Sequence, residues 1–423
     1  MARINIVTPT FSATRFTGGI WCLMEYAAGL AARGHEVTVI PFLPRSEHPQ
    51  WFDRPVGQIR TLTTKACLRR VCESAVDCAR NMLRVILRQA PKRVLKPNLR
   101  GLAENLLFLR PGLLPQKLTS GVSTCYLPHV MPQADVTMAT AWQTVLPVRM
   151  CGTGRLFYFM MHYEPYLAID NSDPRFGEAG ARMAYELNLE MIANSSWLKN
   201  KIEAEFPGRL VHLCPNAIDH KVFAGKPRTC SQNSEVAVIS YSGRGVTWKG
   251  FREMAEAVKI ARDYLPEVNL RWMVYGGAIP PPEKCIANYE PLGFLNHASL
   301  AKAYVSADIL LSASWYESFP LFPLEAMACG LPVITTPLGT EDFAIHGETA
   351  EVVEPKDPKS IAEGLIRLIK DPSYRYRIAK GGNEISKGFT WERSVSRLER
   401  ILLSSPSQTP VHKASLSRAS IAP

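Results

Sequence analysis

The stretch Asp308-Ile-Leu-Leu-Ser-Ala-Ser314, followed two residues later by Glu317-Ser-Phe-Pro-Leu-Phe-Pro-Leu-Glu325-Ala-Met-Ala-Cys-Gly330, decides the fold. Its first part is an apolar run of strand length. A loop containing proline follows. Residues 324–329 are then good helix formers, closed by Gly330 as a C-cap. A strand end, a loop and a helix start in this order build a corner whose free backbone N–H groups suit an anion. Glu317 falls in the loop, and Glu325 falls about one helical turn into the helix. A carboxylate set between Leu324 and Ala326 at a helix start is not placed like an ordinary solvated helix residue. Each carboxylate offers two acceptor oxygens, which suits contact with vicinal sugar hydroxyls.

The same grammar of strand, loop and helix extends outward on both sides. Upstream, residues 236–242 read as a strand, a Gly-Arg-Gly loop follows, and a helix is expected over 251–265. Further strands are expected at 270–275 and 332–336, with helices near 361–369 and 393–403. The N-terminal half repeats the pattern: a strand at 3–9, a helix from about 20 to 33 ended by Gly34, and a strand at 35–41. Runs at 135–141, 154–161, 189–195 and 210–215 supply more strands, the last closing the sheet. The fold class is therefore α/β, with two Rossmann-like doubly wound parallel-sheet domains facing a central cleft. The expected organisation is a first domain over 1–222, a polar, turn-rich linker over 223–234, and a second domain over 235–380. C-terminal helices occupy 381–403, and a tail over 404–423, rich in small and polar residues, reads as disordered. The first loop lacks Gly-x-Gly-x-x-Gly, so no dinucleotide fingerprint is present.

Composition narrows the class. The 423 residues are 46% hydrophobic and 21% charged, ordinary for a globular protein with two cores. No apolar run approaches the ~18–20 residues of a membrane span. The N-terminus enters a strand directly, without the apolar core of a signal peptide. Ten scattered cysteines, with no Cys-x-x-Cys, argue against a zinc site and for a reducing, cytoplasmic setting. The net charge of +11 is concentrated between Arg60 and Arg100, where eleven Lys/Arg face two acids and so contribute +9. Apolar residues recur there at helical spacing, which predicts an amphipathic helix with a basic face. Such a face suits an anionic membrane surface better than nucleic acid, because no interleaved aromatics accompany it.

Arg244 and Lys249, in Gly-Arg-x4-Lys-Gly after a strand, suit a diphosphate. Fixed cations there would stabilise the charge that grows on a departing phosphate, and the flanking glycines let backbone approach it.

Taken together, Glu317 to Val333 resembles the Glu-x7-Glu signature of the retaining, nucleotide-sugar-dependent glycosyltransferases of family four, which have the GT-B fold. Four further matches appear in the family's order: Gly18-Gly19, Pro215-Asn216-Ala-Ile-Asp219, residues 242–250, and Leu292-Gly-Phe294. The resemblance implies that Glu325 chelates the ribose, while Glu317 and the backbone of Ser318, Phe319 and Pro320 face the donor sugar and phosphate. It implies that Gly18 and Gly19 let the first domain close on the diphosphate. It implies that His162 lies toward the sugar hydroxyls and the reaction centre, with Glu164 as the alternative if the alignment shifts by a residue. The last helix is expected to cross back to the first domain. Asn216 and Asp219 are expected to form a structural turn, with Ala217 where a glycine is usual. Residues 163–166 most resemble rhamnosyl and mannosyl transferases of surface polysaccharide and lipopolysaccharide synthesis.

The implied reaction is front-face transfer with retention, with catalytic residues His162, Glu317, Arg244 and Lys249. It requires no protein nucleophile and no cofactor, and without an Asp-x-Asp motif it is expected to be independent of metal. The partners would be a nucleotide-sugar donor, a lipid-linked or glycan acceptor and the inner face of the cell membrane. A sugar-nucleotide epimerase, a sugar-phosphate synthase or a silent sugar-nucleotide-binding scaffold are the rival readings.

Overall fold

A computed structural model describes residues 1–9, 11–12, 17–41, 48–60, 131–167, 174–228, 235–277, 279, 283 and 285–404. The basic segment predicted over 60–100 lies outside the described residues except for Arg60, as does the tail beyond Ser404.

The first domain is built on β1 (Arg3–Thr8), β2 (Glu36–Pro41), β3 (Gln58–Ile59), β4 (Val136–Ala139), β5 (Arg155–Met160), β6 (Glu190–Ala193) and β7 (Val211–Leu213). They form one seven-stranded sheet in the order β3-β2-β1-β4-β5-β6-β7. Every pairing is parallel. Such strands are covered on both faces, and β1 accordingly buries every residue after Arg3 rather than alternating. The helices are α1 (Gly18–Ala32), α2 (Trp142–Cys151), the short α3 (Glu164–Leu167), α4 (Pro174–Glu186) and α5 (Ser196–Glu205).

The second domain holds β8 (Glu235–Tyr241), β9 (Asn269–Tyr275), β10 (Glu290–Gly293), β11 (Ile309–Ser312), β12 (Val333–Thr335) and β13 (Glu351–Val352). Their order is β10-β9-β8-β11-β12-β13, again all parallel. Its helices are α6 (Phe251–Tyr264), α7 (His297–Ser306), α8 (Leu321–Ala328), α9 (Pro358–Lys370) and α10 (Pro372–Ser386). The last helix, α11 (Trp391–Leu403), packs on α1 of the first domain and adds Val395, Leu398 and Leu402 to that domain's core.

Strand order reverses between β1 and β4 in one sheet and between β8 and β11 in the other. Ligands of open α/β sheets sit outside the carboxyl ends of strands at such reversals. The loop after β8 carries the predicted cations Arg244 and Lys249, the loop after β11 carries Glu317, and Glu325 lies just beyond it in α8.

The structure differs from the sequence reading in several elements. Helix α8 begins at Leu321, three residues before the predicted start, because Pro320 takes the N-cap position and Pro323 falls in the first turn, where no intrahelical N–H bond is lost. Helix α1 begins at Gly18 rather than near residue 20. The short edge strands β3, β10 and β13 were not expected, and α10 begins at Pro372, nine residues before the C-terminal helices expected from 381. The described part of the 223–234 segment is not a free linker. Phe223 is buried in the second domain's core, and the Gly225 N–H donates to the Ala328 carbonyl at 3.0 Å.

Candidate functional site

The loop after β8 is two short 3-10 turns, Gly243–Gly245 and Thr247–Lys249. Gly250 closes it at φ 71°, where an added Cβ would lie 2.0 Å from the Ala313 carbonyl oxygen, so only glycine fits. Arg244 is held in the left-handed region at φ 51°, a conformation that costs a non-glycine residue ~1 kcal/mol or more and collects at functional sites. Its side chain is exposed and crosses Gly277, where an added Cβ would lie 3.1 Å from the Arg244 Cγ.

Lys249 is engaged within the loop cluster. Its ammonium bonds to Oε1 of Glu317, lies 4.1 Å from the centre of the Trp248 ring, and is largely shielded from solvent. Glu317 Oε1 also accepts from the Ser314 hydroxyl at 3.0 Å, and the Glu317 N–H donates to the Leu338 carbonyl at 3.1 Å. Lys249, Ser314, Glu317 and Pro320 line one pocket with Tyr241 and Tyr275. A second cavity of about 450 Å³ opens behind the same loop, between Thr247, Glu253, Trp315 and Lys356; Glu317, Glu325 and His162 do not line it.

Glu325 stands apart from this pair. It is 4% exposed, its Oε2 has no partner, and burial pushes its carboxyl up to about 8. Its charge is felt by Cys22 of α1, by Tyr275 and by Tyr304, which places it where the second domain meets the first. Burial, reinforced by Glu25 and Glu325, drives the Cys22 thiol far above its ordinary range. Ser318 turns its hydroxyl to Asn194 Oδ1 across the cleft, and the Phe319 ring is core, packed on Phe343 and Phe389. Any donor contact of these two residues is therefore left to their backbone. Pro320 caps α8.

On the first domain, Gly18 and Gly19 form the first turn of α1, and nothing lies within 4 Å of a Cβ built on either. Their lack of side chains leaves open space that no packing requires. His162 follows β5 and packs its ring against Trp248 and Tyr316 of the second domain, at centroid distances of 5.5 and 5.8 Å. Its Nδ1 lies 3.1 Å from the Tyr163 carbonyl, and a carbonyl can only accept, so Nδ1 carries the proton. Nε2, buried and without a partner, is then a bare acceptor. Burial lowers the pKa of His162, with nearby Glu317 partly opposing.

Glu164 is not in the cleft. Its Oε2 accepts the Trp142 N–H at 2.7 Å, at the start of α2, and the Tyr158 hydroxyl. Burial raises its carboxyl to about 8. The two candidates thus separate: His162 meets the second domain, and Glu164 caps a helix inside the first. Asp219 holds its turn by accepting the Lys221 N–H at 2.8 Å, while Asn216 is buried beside it in the chain.

Sequence reasoning missed Asn194, Trp248, Tyr316 and Glu25. Asn194 ends an apolar strand as His162 does, and that shared position was the available signal. Glu25 is 2% exposed on α1, paired with Arg54, and burial lifts its carboxyl to about 7. Among the described residues no cluster of three His, Cys, Asp or Glu could hold a metal ion, and no helix is long and apolar enough to cross a membrane.

Residues 236–371, the body of the second domain, match the family described as "Glycosyl transferases group 1". The chain is 31% identical over 177 residues to D-inositol 3-phosphate glycosyltransferase of Corynebacterium glutamicum (strain R), covering 39% of this chain and 42% of that one. The same-named protein of Arthrobacter sp. (strain FB24) is 25% identical over 248 residues, covering 54% of this chain and 58% of its own. The matched region thus spans about half the length of these curated relatives. Among solved structures, a sucrose-phosphate synthase from Thermosynechococcus elongatus superposes with a TM-score of 0.67 at 17% identity, over 95% of this chain and 98% of that one. The Anabaena protein HepE in complex with UDP-glucose gives 0.63 at 17% identity, over 96% and 100%. The architecture is therefore GT-B, and the second domain carries the sequence pattern of a glycosyltransferase family.

Proposed function

We propose that this protein is a retaining glycosyltransferase that moves a hexose from a nucleotide diphosphate donor to a lipid-linked or polysaccharide acceptor. The observation that carries the reading is the Lys249–Glu317 pair, set on the two loops that flank the β8/β11 reversal, with Arg244 on the same loop and His162 across the cleft. The relatives' name and the UDP-glucose held by the Anabaena protein support a nucleotide-sugar donor.

In this reading Arg244 and Lys249 bind the diphosphate and stabilise the charge that grows on it as the bond from the sugar C1 to phosphate oxygen breaks. Removing one such donor typically costs ~10²–10³ in rate. The acceptor oxygen bonds to C1 on the same face, and its proton passes to the departing phosphate oxygen. Glu317 does not act as nucleophile. Its Oε1 is already engaged by an ammonium and a hydroxyl, and its task is to hold Lys249 and to meet the sugar. His162, neutral and with Nε2 free to accept, receives a hydroxyl of the donor sugar. Glu325 accepts the ribose hydroxyls, and Gly18 and Gly19 leave room for the diphosphate under α1. The two cations supply the stabilisation a metal would otherwise give, so activity is expected to survive chelation. The basic 60–100 segment seats the protein on an anionic cytoplasmic membrane face.

Thermal-shift screening against UDP-, GDP- and dTDP-sugars tests the donor. A ligand of the folded state adds ~2.7 kcal/mol at a hundredfold excess over its Kd. One nucleotide sugar should stabilise the wild type, and Glu325→Ala and Lys249→Ala should abolish most of that shift. No stabilisation by any of them would defeat the reading. For the membrane, neutralising Arg69, Arg70, Arg84 and Arg88 together should abolish binding to anionic liposomes; unchanged binding would sink that part.

A further inference from the structure

The side chain of Asn194, at the end of β6, is 1% exposed and reaches both halves of the site. Its Nδ2 donates to the Met161 carbonyl at 3.1 Å, the peptide that precedes His162. Its Oδ1 accepts from the hydroxyl of Ser318, the residue after Glu317. The amide's orientation is forced, because the Met161 carbonyl can only accept and the hydroxyl is free to donate. A second bond across the domains runs beside it: Asp342 Oδ2 accepts the Ser196 N–H at 2.9 Å, at the first residue of α5. Two hydrogen bonds of the domain contact are therefore made between residues that follow β6 in sequence and the loops that carry Ser318 and Asp342.

We propose that Asn194 is a positioning residue, whose amide sets His162 and Glu317 in register when the two domains meet. The inference rests on the transferase reading for its effect on rate, though not for its effect on the domain contact. Asn194 touches neither reacting group. It fixes the peptide on which His162 is carried and grips the hydroxyl next to Glu317. Without it, the alignment of the His162 acceptor with the Lys249–Glu317 pair rests on contacts that touch neither the Met161 peptide nor Ser318: the Ser196–Asp342 bond, the Tyr316 hydroxyl on the Tyr166 carbonyl and the ring contacts of Trp248 and Tyr316. A displacement of about 1 Å in such a site can cost ~10² in rate. The charged groups assigned to the nucleotide, Arg244, Lys249, Glu317 and Glu325, lie on the second domain, and the first contributes only the Gly18-Gly19 turn and His162, so donor affinity should change far less than rate.

The test compares the wild type with Asn194→Ala, Ser318→Ala and the double variant. With the nucleotide sugar that stabilises the wild type, kcat should fall tenfold or more in each single variant, with the donor Kd within about threefold. The double variant should be no worse than Asn194→Ala, because that variant has already lost the bond from Ser318 together with the one to Met161. Ser318→Thr, which keeps the hydroxyl, should restore most of the rate. Independent effects that multiply, or a loss of donor affinity matching the loss of rate, would overturn the proposal. A second readout needs no activity: spin labels on α2 and α9 report the separation of the domains. Asn194→Ala and Ser318→Ala should broaden or lengthen that distance, and distributions identical to the wild type would also overturn it. Wild-type protein that binds no nucleotide sugar would defeat the transferase reading alone and leave the distance measurement to decide the clasp.

Discussion

Glu325 sits where a carboxylate is least at ease, fully enclosed, with one oxygen unpartnered and its pKa pushed up to about 8 by burial. In the proposed role it must accept two ribose hydroxyls, which favours the ionised form. The free protein at neutral pH holds it mostly protonated, so donor binding should be linked to proton release. Affinity for the nucleotide should rise by up to about tenfold between pH 7 and pH 9, the change in ionised fraction for such a group. Glu325→Gln should bind more weakly at pH 9 and lose this dependence. Isothermal titration at several pH values, in buffers of different ionisation enthalpy, checks both the slope and the proton. A flat wild-type profile would mean that the carboxyl is already ionised before the donor arrives. That Lys249 and Glu317 fall on neighbouring loops was legible in the sequence, because both loops follow strands of one parallel sheet; that they pair directly while Glu325 stands apart was not. Nor was the choice between His162 and Glu164. It depends on Trp142, 22 residues away, presenting the N–H that draws Glu164 inward.

At the scale of elements, Glu164 is part of how α2 starts. Both hydrogen bonds of its carboxyl, from the Trp142 N–H and the Tyr158 hydroxyl, land on Oε2. Its carboxyl is raised to about 8 in the folded state, against an ordinary value near 4.5. A carboxyl with a raised folded pKa binds more protons folded than unfolded. Its stabilising contribution is therefore complete below about pH 4.5 and is lost as pH rises toward 8. Glu164→Gln keeps one carbonyl oxygen to accept both bonds and removes the proton linkage. Its melting temperature should fall less steeply than the wild type's between pH 5 and pH 8. Calorimetry across that range decides it, and parallel slopes would show that Glu164 titrates normally. The central strands of both sheets were legible because burial on both faces leaves near-continuous apolar runs. The strands β3 and β13, two residues each, and β10, with Pro291 and Gly293, carry no such run. Helix α10 opens with Pro372 after Asp371 and is mostly polar, so its periodicity gave little signal beside that of α9.

Across the whole molecule, the two domains are joined by more than the cleft. Helix α11 follows the second domain in sequence and packs on α1 of the first, where Gly29 lets the helices approach. A Cβ added there would lie 2.4 Å from the Val395 Cγ2. The contact is framed by Arg33 and His35, which bond to Glu399 at 2.6 and 2.8 Å, with His35 first and then Arg33 holding that carboxylate below its usual range. Arg155, at the start of β5, reaches the Leu402 carbonyl at 3.0 Å, so the strand leading to His162 is tied to the same helix. Since α1 begins at Gly18 and Gly19, the α1–α11 seam ties the helix that carries the glycine turn to the chain leaving the second domain. Gly29→Ala should overpack this seam and destabilise by about 1–3 kcal/mol. Val395→Ala should open space there and destabilise by a comparable amount. Combined, the new methyl at 29 occupies part of the space vacated at 395, so the double variant should lose clearly less than the sum of the two. Additive losses in denaturant melts would mean that the two residues do not share the contact, and that α11 is held on α1 by the Arg33 and His35 bonds to Glu399 rather than by packing at Gly29.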